Sequence, residues 1–246
     1  MKTDRIFGKD GRAFVMAIDH PLTMPSPDLA EIGPIIEKAR EGGVDAFLAS
    51  YGCIRAFAGS FDGAGLIMRA DGGVTMLEKP SGPLKMLWTA EDAVSVGADA
   101  MLCMGFPGST LNSGTLANVA RTSADAHSHG IAAGAEMLPY GFERPEGVET
   151  RSVEAVSFAC RLGAEMGADF IKTEFVGGER FKEVISNCFV PVLVLGGSRA
   201  KGEDEILGDV ESAMAAGASG VIMGRNIARS SDITGLCRKI ASIIHG

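Results

Sequence analysis

The sequence of 246 residues is poor in aromatic side chains, in basic charge and in long apolar runs. Aromatic residues make up 6% of the chain, with one tryptophan, and no apolar run approaches the ~18 residues that a membrane span needs. Asp4 and Asp10 precede the first short apolar run, which is not the pattern of a signal peptide. We therefore predict a soluble, cytoplasmic protein with no membrane partner.

Basic residues are outnumbered by acidic ones, and the cysteines show no pairing pattern. Lys and Arg total 23 against 31 Asp and Glu, a formal net charge of −8, which argues against a nucleic-acid-binding surface. The five cysteines are widely spaced and include no Cys-x-x-Cys pair. An odd, unpaired set of this kind is typical of free thiols in a reducing compartment.

The common signatures of metal and serine-nucleophile chemistry are also missing from the sequence. His127 and His129 are two residues apart on a predicted helix, so their side chains point in different directions. No His-x-x-x-His pair or carboxylate cluster suggests a metal site, and no nucleophile elbow supports a Ser-His-Asp triad. We predict chemistry without a metal ion or other cofactor.

Eight β-like runs alternate with helical patterns along the whole chain. The runs cover residues 14–20, 44–50, 65–71, 98–105, 131–139, 168–175, 190–197 and 217–226. The main helical patterns cover residues 34–40, 89–97, 112–128, 151–166, 179–187, 203–216 and 231–244. Alternation with short connections indicates parallel strands joined by right-handed crossovers. Eight such units in this length predict an α/β fold, a single (β/α)8 TIM-barrel domain over residues 1–246. The alternative is an open doubly wound sheet, although no Gly-x-Gly-x-x-Gly follows the first strand.

A short repeat supports this register. Gly43-Val-Asp, Gly97-Ala-Asp, Gly167-Ala-Asp and Gly217-Ala-Ser each stand between a helical pattern and a β-like run. A glycine at this position ends a helix in a left-handed cap, and the small residue after it enters the sheet.

Lys172 lies inside the apolar run 168–175, where packing does not explain a charged side chain. Strand alternation puts Phe170, Lys172 and Glu174 on one face of the run. A lysine shielded from water loses its proton more readily, and the neutral amine can attack a ketone to form a Schiff base. The alternative is a structural lysine that reaches water or pairs with Glu174.

Other polar residues stand where the β-like runs end, which is where TIM barrels carry their reactive groups. They are Asp19, His20, Arg69, Asp71, Glu136, Lys172, Glu174, Gly196-Gly197-Ser198 and Gly224-Arg225. Each has a structural alternative, such as a loop cap or an ion pair, but their convergence on one mouth favours a site. The glycine-bearing turns after the last two runs, with their arginines, predict a phosphate site.

These motifs resemble a known family. Ala-Glu-Met-Gly-Ala-Asp-Phe-Ile-Lys-Thr up to Thr173, then Gly196-Gly197, then Gly217-Ala-Ser-Gly-Val-Ile-Met-Gly-Arg-Asn-Ile are similar to the class I (Schiff-base) aldolases. That family includes archaeal-type fructose-bisphosphate aldolase, tagatose-bisphosphate aldolase and autoinducer-2-phosphate thiolase. The resemblance implies that Lys172 is the Schiff-base lysine and that Asp19 is the aspartate closing strand one. It also implies that Gly196, Gly197, Ser198, Gly224 and Arg225 hold a substrate phosphate.

The sequence departs from the family pattern at two places. Leu138 precedes Pro139, where the archaeal-type enzymes carry a tyrosine, and Tyr140 follows two positions later. Glu136-Met-Leu-Pro-Tyr140 and Lys172-Thr-Glu174 are instead similar to the tagatose-bisphosphate branch. His20-Pro21 stands where relatives usually have His-Gly or Gln-Arg.

Together these observations predict a metal-independent aldolase acting on a phosphorylated ketose or a close analogue. We expect Lys172, Glu136, Asp19 and Tyr140 to be catalytic, with Glu136 or Tyr140 as the proton carrier. We expect His20, Arg69 and Glu174 to bind the substrate together with the phosphate-binding residues. The expected partners are a phosphorylated sugar and further copies of the chain. Two alternatives stay open: a Schiff-base thiolase that passes an acetyl group to coenzyme A, and a non-catalytic sugar-phosphate sensor.

Overall fold

A closed barrel of parallel strands forms the centre of the molecule. The computed structural model describes residues 3–77, 84–197 and 201–246. The barrel strands are β1 (Ala13–Ala17), β2 (Ala46–Ala49), β3 (Gly65–Arg69), β4 (Ala100–Gly105), β5 (Ala132–Met137), β6 (Phe170–Thr173), β7 (Val192–Leu195) and β8 (Gly220–Met223). They pair in sequence order, and β8 pairs with β1 to close the barrel. The predicted TIM barrel is confirmed, and the alternative of an open sheet is wrong.

Helices surround the barrel, and most of them lie where the sequence pattern predicts them. They are α1 (Ile32–Glu41), α2 (Tyr51–Ala56), α3 (Ala90–Ser95), α4 (Asn112–Ser128), α5 (Val153–Glu165), α6 (Phe181–Asn187), α7 (Glu203–Ala215), α8 (Arg225–Ala228) and α9 (Ile233–His245). In the part of the chain that the structure describes, no helix combines the length and apolar character of a membrane span.

Three local elements differ from the prediction. The last β-like run ends at Met223, and Arg225 begins the short helix α8 instead of ending a strand. Helix α5 begins at Val153, because the Ser152 side chain caps it by accepting a hydrogen bond from the Ala155 amide at 3.1 Å. A two-stranded ribbon pairs Asp71–Gly72 with Lys85–Met86 beside the barrel mouth, and no sequence pattern indicated it.

The core has an inner and an outer layer. The barrel interior is filled by alternate strand residues, among them Val15, Leu102, Phe170 and Ile222, all at most 1% exposed. Phe7 covers this interior with an edge-to-face contact to Phe170, their ring centroids 6.0 Å apart. The intervening strand residues pack outward against the helices in two larger clusters. This alternation decides which side chains can reach the mouth of the barrel.

The glycine–aspartate repeat ties three helix–strand junctions to the preceding strand. Asp45, Asp99 and Asp169 accept hydrogen bonds from the amides that begin the preceding strands, at 2.7, 2.9 and 2.8 Å respectively. The glycine two residues before each aspartate has a φ of 93°, 76° or 94°, the left-handed conformation that ends a helix. The repeat therefore sets the depth at which β2, β4 and β6 enter the barrel.

His245, near the C-terminus, joins α9 to the floor of the barrel. Its ring nitrogens lie 2.8 Å from an Asp10 carboxylate oxygen and 3.1 Å from an Asp45 carboxylate oxygen. Burial acts to lower the pKa of His245, but the hydrogen bond to Asp10 and the two carboxylate charges outweigh burial and raise it. The charged imidazole is therefore favoured in the folded state.

We expect His245 to make stability depend on pH. Because its folded pKa lies above the unfolded value of about 6.5, its contribution is complete below about pH 6.5 and is lost as pH rises through the folded pKa. His245→Gln should lower the unfolding temperature by about 1–3 °C at pH 6, the scale of a partly exposed ion pair. Thermal unfolding of both proteins from pH 6 to 9 tests this. A difference in unfolding temperature between the two proteins that stays the same from pH 6 to 9 would contradict this prediction.

Candidate active site

Lys172 and Glu136 form an ion pair inside the mouth of the barrel. Strand register places them directly opposite each other on β6 and β5. Lys172 Nζ lies 3.0 Å from Glu136 Oε2, and the two residues are 7% and 4% exposed. Lysine and glutamate are almost never this buried without a specific partner. The structural alternative that pairs Lys172 with Glu174 is wrong, since Glu174 binds Arg151 instead.

Arg69 contacts three carboxylates, one of which belongs to Glu136 of this pair. Its guanidinium lies 3.0 Å from Asp19 Oδ2 and 3.6 Å from Glu136 Oε2, and its Nε donates to Asp71. Burial acts to lower the pKa of Arg69, but the charges of Asp71, Asp19 and Glu136 outweigh it and raise the pKa above its usual range. Arg69 is therefore a permanent cation, and it fixes Asp19 and Glu136 relative to Lys172.

Asp71 anchors Arg69 in turn. It is 1% exposed, and its second carboxylate oxygen accepts a hydrogen bond from the Met104 amide at 2.8 Å. One carboxylate thus connects the end of β3 to β4 and holds the guanidinium in place. The sequence marked Asp71 as a polar strand end but assigned it no role.

A cavity of ≈ 580 Å³ opens above the ion pair. Of the residues predicted from the sequence to be catalytic or substrate-binding, it is lined by Asp19, His20, Arg69, Glu136, Lys172, Glu174, Gly196, Gly197, Gly224 and Arg225. Ser198 lies outside the described residues. The structure therefore brings ten of the predicted residues to one cavity at the carboxyl ends of the strands.

The glycine turns after β7 and β8 form one corner of the cavity. The Arg225 guanidinium donates to the Gly197 carbonyl at 3.2 Å, and the Asn226 side-chain amide Nδ2 donates to the Gly196 carbonyl at 3.4 Å. A Cβ on Gly224 would stand 1.9 Å from the Ala17 carbonyl oxygen, so only glycine lets the chain pass this close to β1. The corner combines a half-buried guanidinium with closely packed backbone, which suits an anion.

His20 lies on a 3-10 turn, His20–Leu22, that follows β1. Pro21 stands in the first turn, where its missing amide costs no hydrogen bond. Burial lowers the pKa of His20, although the Asp19 and Asp28 carboxylates oppose this shift. A neutral imidazole at the cavity wall can donate or accept a hydrogen bond.

Arg151 is a site residue that the sequence analysis missed. It pairs with Glu174 and donates to the carbonyls of Pro139 and of Gly141, the latter at 2.7 Å. Arg151 lies in the loop before α5, where the helical pattern had included it. The capping signal was available, because Ser152 precedes an apolar periodic run and marks the helix start there.

Tyr140 stands apart from the cavity. Its φ is 61°, a left-handed conformation rare for a residue with a side chain, and its amide donates to the Pro107 carbonyl at 2.7 Å. Its ring lies over Gly108, whereas Leu138, Phe142 and Arg144 of the same loop line the cavity. In this conformation Glu136 is the nearer of the two predicted proton carriers to Lys172, to which it is paired.

The chain is similar to proteins of one family along almost its whole length. Residues 13–230, which include the whole barrel, match the family described as DeoC/LacD family aldolase. The fructose-bisphosphate aldolase class 1 of Thermoproteus tenax is 29% identical, over 98% of this chain and 93% of its own. The 2-amino-3,7-dideoxy-D-threo-hept-6-ulosonate synthase 1 of Archaeoglobus fulgidus is 30% identical, over 97% and 88%. The solved structure of an archaeal fructose-1,6-bisphosphate aldolase, its catalytic lysine bound to the carbinolamine intermediate, is 28% identical with a TM-score of 0.89 over 100% of this chain and 98% of that one.

Proposed function

The chain belongs to the DeoC/LacD family of aldolases, and on that premise we propose that it cleaves or forms a carbon–carbon bond in a phosphorylated ketose or a close analogue. The reaction passes through a Schiff base on Lys172 and uses no metal ion. The observation that carries this proposal is the buried Lys172–Glu136 pair, 3.0 Å apart at the floor of the cavity. It supplies an amine and a proton acceptor in contact, shielded from water.

Imine formation needs Lys172 as a neutral amine. Transfer of one ammonium proton to Glu136 leaves a lone pair on Nζ and a protonated carboxyl beside it. Nζ then attacks the ketone carbon, and the carbonyl oxygen takes a proton from Nζ to become the hydroxyl of a carbinolamine. This hydroxyl takes the Glu136 proton and leaves as water, which gives the protonated imine.

Cleavage uses the protonated imine as an electron sink. The bond between the carbons α and β to the imine breaks, and its electron pair moves towards nitrogen to form an enamine. The hydroxyl on the β carbon passes its proton to the Glu136 carboxylate as the aldehyde leaves. Protonation of the enamine and hydrolysis of the imine release the ketone and restore Lys172.

The other residues at the cavity position the substrate. Asp19, held by Arg69, accepts a hydrogen bond from a substrate hydroxyl, and His20 and Glu174 contact further hydroxyls at the cavity wall. The corner formed by Gly196, Gly197, Gly224 and Arg225 binds the phosphate, and Ser198 is proposed to join it. The half-buried Arg225 supports this assignment, since it lines the cavity beside three glycines.

Arg225→Ala should weaken binding of phosphorylated substrates selectively. A charge-assisted hydrogen bond contributes roughly 1.5–3 kcal/mol, so KM should rise roughly 10- to 150-fold for a phosphorylated ketone. The unphosphorylated analogue should change little. Steady-state kinetics on both substrates measures this, with Arg238→Ala, an exposed arginine on α9, as the matched control. Equal losses on both substrates would show that Arg225 supports the loop instead.

The proposed function is tested by trapping. Incubation with phosphorylated ketones and borohydride should add the reduced substrate mass to the protein, measured by intact mass spectrometry. The absence of any trapped adduct would contradict the proposal and would favour the non-catalytic sensor. Formation of an acyl-coenzyme A from a phosphorylated diketone would favour the thiolase alternative.

Single-domain folding, cytoplasmic location and self-association stay predictions. Light scattering of the purified protein tests self-association.

A further inference from the structure

One side of the cavity is apolar. A separate hydrophobic cluster sits at the carboxyl ends of the strands, and each of its members named here also lines the cavity. They are Leu84, Met104, Phe106, Leu111, Leu138 and Leu195. Leu84, Phe106 and Leu138 are 6%, 2% and 4% exposed, so this wall is packed, not a scatter of surface side chains.

Most of the apolar wall lies across the barrel from the phosphate corner, although Leu195 ends β7 beside Gly196. Met104 and Phe106 stand at the end of β4, which is four strands from β8 in a closed barrel of eight. Arg225 follows β8 directly. Lys172 and Glu136 lie between these two sides, on β6 and β5.

The wall begins beside the proton carrier. Met104 is the cross-strand partner of Glu136, and Leu138 follows Glu136 by two residues on the same side of the chain. At the outer end Phe142, 65% exposed, makes an edge-to-face contact with Phe106, with ring centroids 5.3 Å apart. The apolar surface therefore runs from the reacting centre to the rim.

We assign the phosphate at the corner to the ketone half, so the half of the substrate that leaves as the aldehyde lies on this side. Its carbonyl oxygen receives or gives a proton at Glu136, while the phosphate of the ketone half is held at the opposite corner. A chain of hydroxyl groups would lose its water against this wall and find few hydrogen-bonding partners. An alkyl or aryl chain would bury apolar surface there.

We infer that the aldehyde partner of this enzyme is apolar beyond its reacting carbonyl group, and carries no second phosphate. The inference rests on the proposed function and names the substrate class of the same site. Two polar features oppose this inference: the Arg151–Glu174 ion pair, whose charges neutralise each other, and Arg144, which lines the cavity and has no carboxylate within 4 Å among the described residues. Arg144 is exposed, and its guanidinium donates to the Glu143 carbonyl at 2.8 Å, so water screens it.

The test uses carbon–carbon bond formation. The phosphorylated ketone that gives the most borohydride-trapped adduct serves as the donor, with 3-methylbutanal, glyceraldehyde and glyceraldehyde 3-phosphate as acceptors. We expect kcat/KM, corrected for aldehyde hydration, to be about 10- to 100-fold higher for 3-methylbutanal than for glyceraldehyde. If no ketone is trapped, the proposed function fails and this inference with it. If a ketone is trapped but the hydroxylated or phosphorylated acceptor is preferred, this inference alone is overturned.

A pair of matched variants locates the subsite. Phe142→Ser should lower kcat/KM for 3-methylbutanal about tenfold and leave glyceraldehyde within about twofold. Phe158→Ser removes a phenylalanine of similar exposure, 61%, from the outer face of α5 and should change neither. Equal effects of Phe142→Ser on both acceptors, or none, would overturn the inference. So would a preference for glyceraldehyde 3-phosphate that disappears in Arg144→Ala.

Discussion

Lys172→Met should abolish borohydride trapping and lower kcat by at least about 10⁴-fold. Methionine keeps most of the side-chain volume but removes the amine, so no imine can form. The reaction then has no electron sink for the carbon–carbon bond. Intact mass spectrometry after borohydride treatment and a sensitive product assay measure the two effects.

The Lys172 result needs a control for folding, because methionine leaves Glu136 without its nearest cation. Lys172→Arg keeps a positive charge beside Glu136 and should fold normally, yet it should be equally inactive. Lys201→Met is the matched lysine variant. Lys201 lies just before α7 and pairs with Asp209 in that helix. It should keep trapping. A trapped adduct in Lys172→Met would place the nucleophile on another lysine.

Glu136→Gln should slow the chemical step by about 10²–10⁴-fold. Glutamine keeps the shape and can hydrogen bond to Lys172 and Arg69, but it cannot exchange a proton with the substrate. Imine formation depends less on Glu136 than cleavage does, because cleavage needs the carboxylate as the base for the β hydroxyl, so part of the borohydride trapping should survive. Single-turnover kinetics of trapping and of cleavage separate the two steps.

Tyr140→Phe is the decisive comparison for Glu136→Gln. The Tyr140 ring lies over Gly108 and away from the cavity, so removal of its hydroxyl should change kcat less than tenfold. Glu136 contacts Lys172 directly. A large loss of kcat in Tyr140→Phe together with a nearly normal kcat in Glu136→Gln would reverse the assignment and make Tyr140 the proton carrier.

Local sequence was sufficient for most of the fold. The alternation of β-like runs and helical patterns, with a glycine at four of the helix ends, specifies the units of the barrel because turns and periodicity are local properties. The same local rule placed Phe170 and Lys172 on one face of their run, since side chains alternate along any strand. The predicted element boundaries were wrong at Arg225 and Arg151. The cap at Gly224 begins a helix at Arg225, and the cap at Ser152 leaves Arg151 outside α5, so each boundary moves by two or three residues.

The pairing inside the site was decided by tertiary structure alone. In sequence, Glu174 is the carboxylate nearest to Lys172, but the register of β5 against β6 puts Glu136 opposite it and leaves Glu174 to Arg151. Arg69 gathers Asp19 and Glu136 from strands far apart in the chain, and the apolar wall joins residues from several loops. Register and stagger follow from how all eight strands close into a barrel, so no single segment encodes which side chains meet at its mouth.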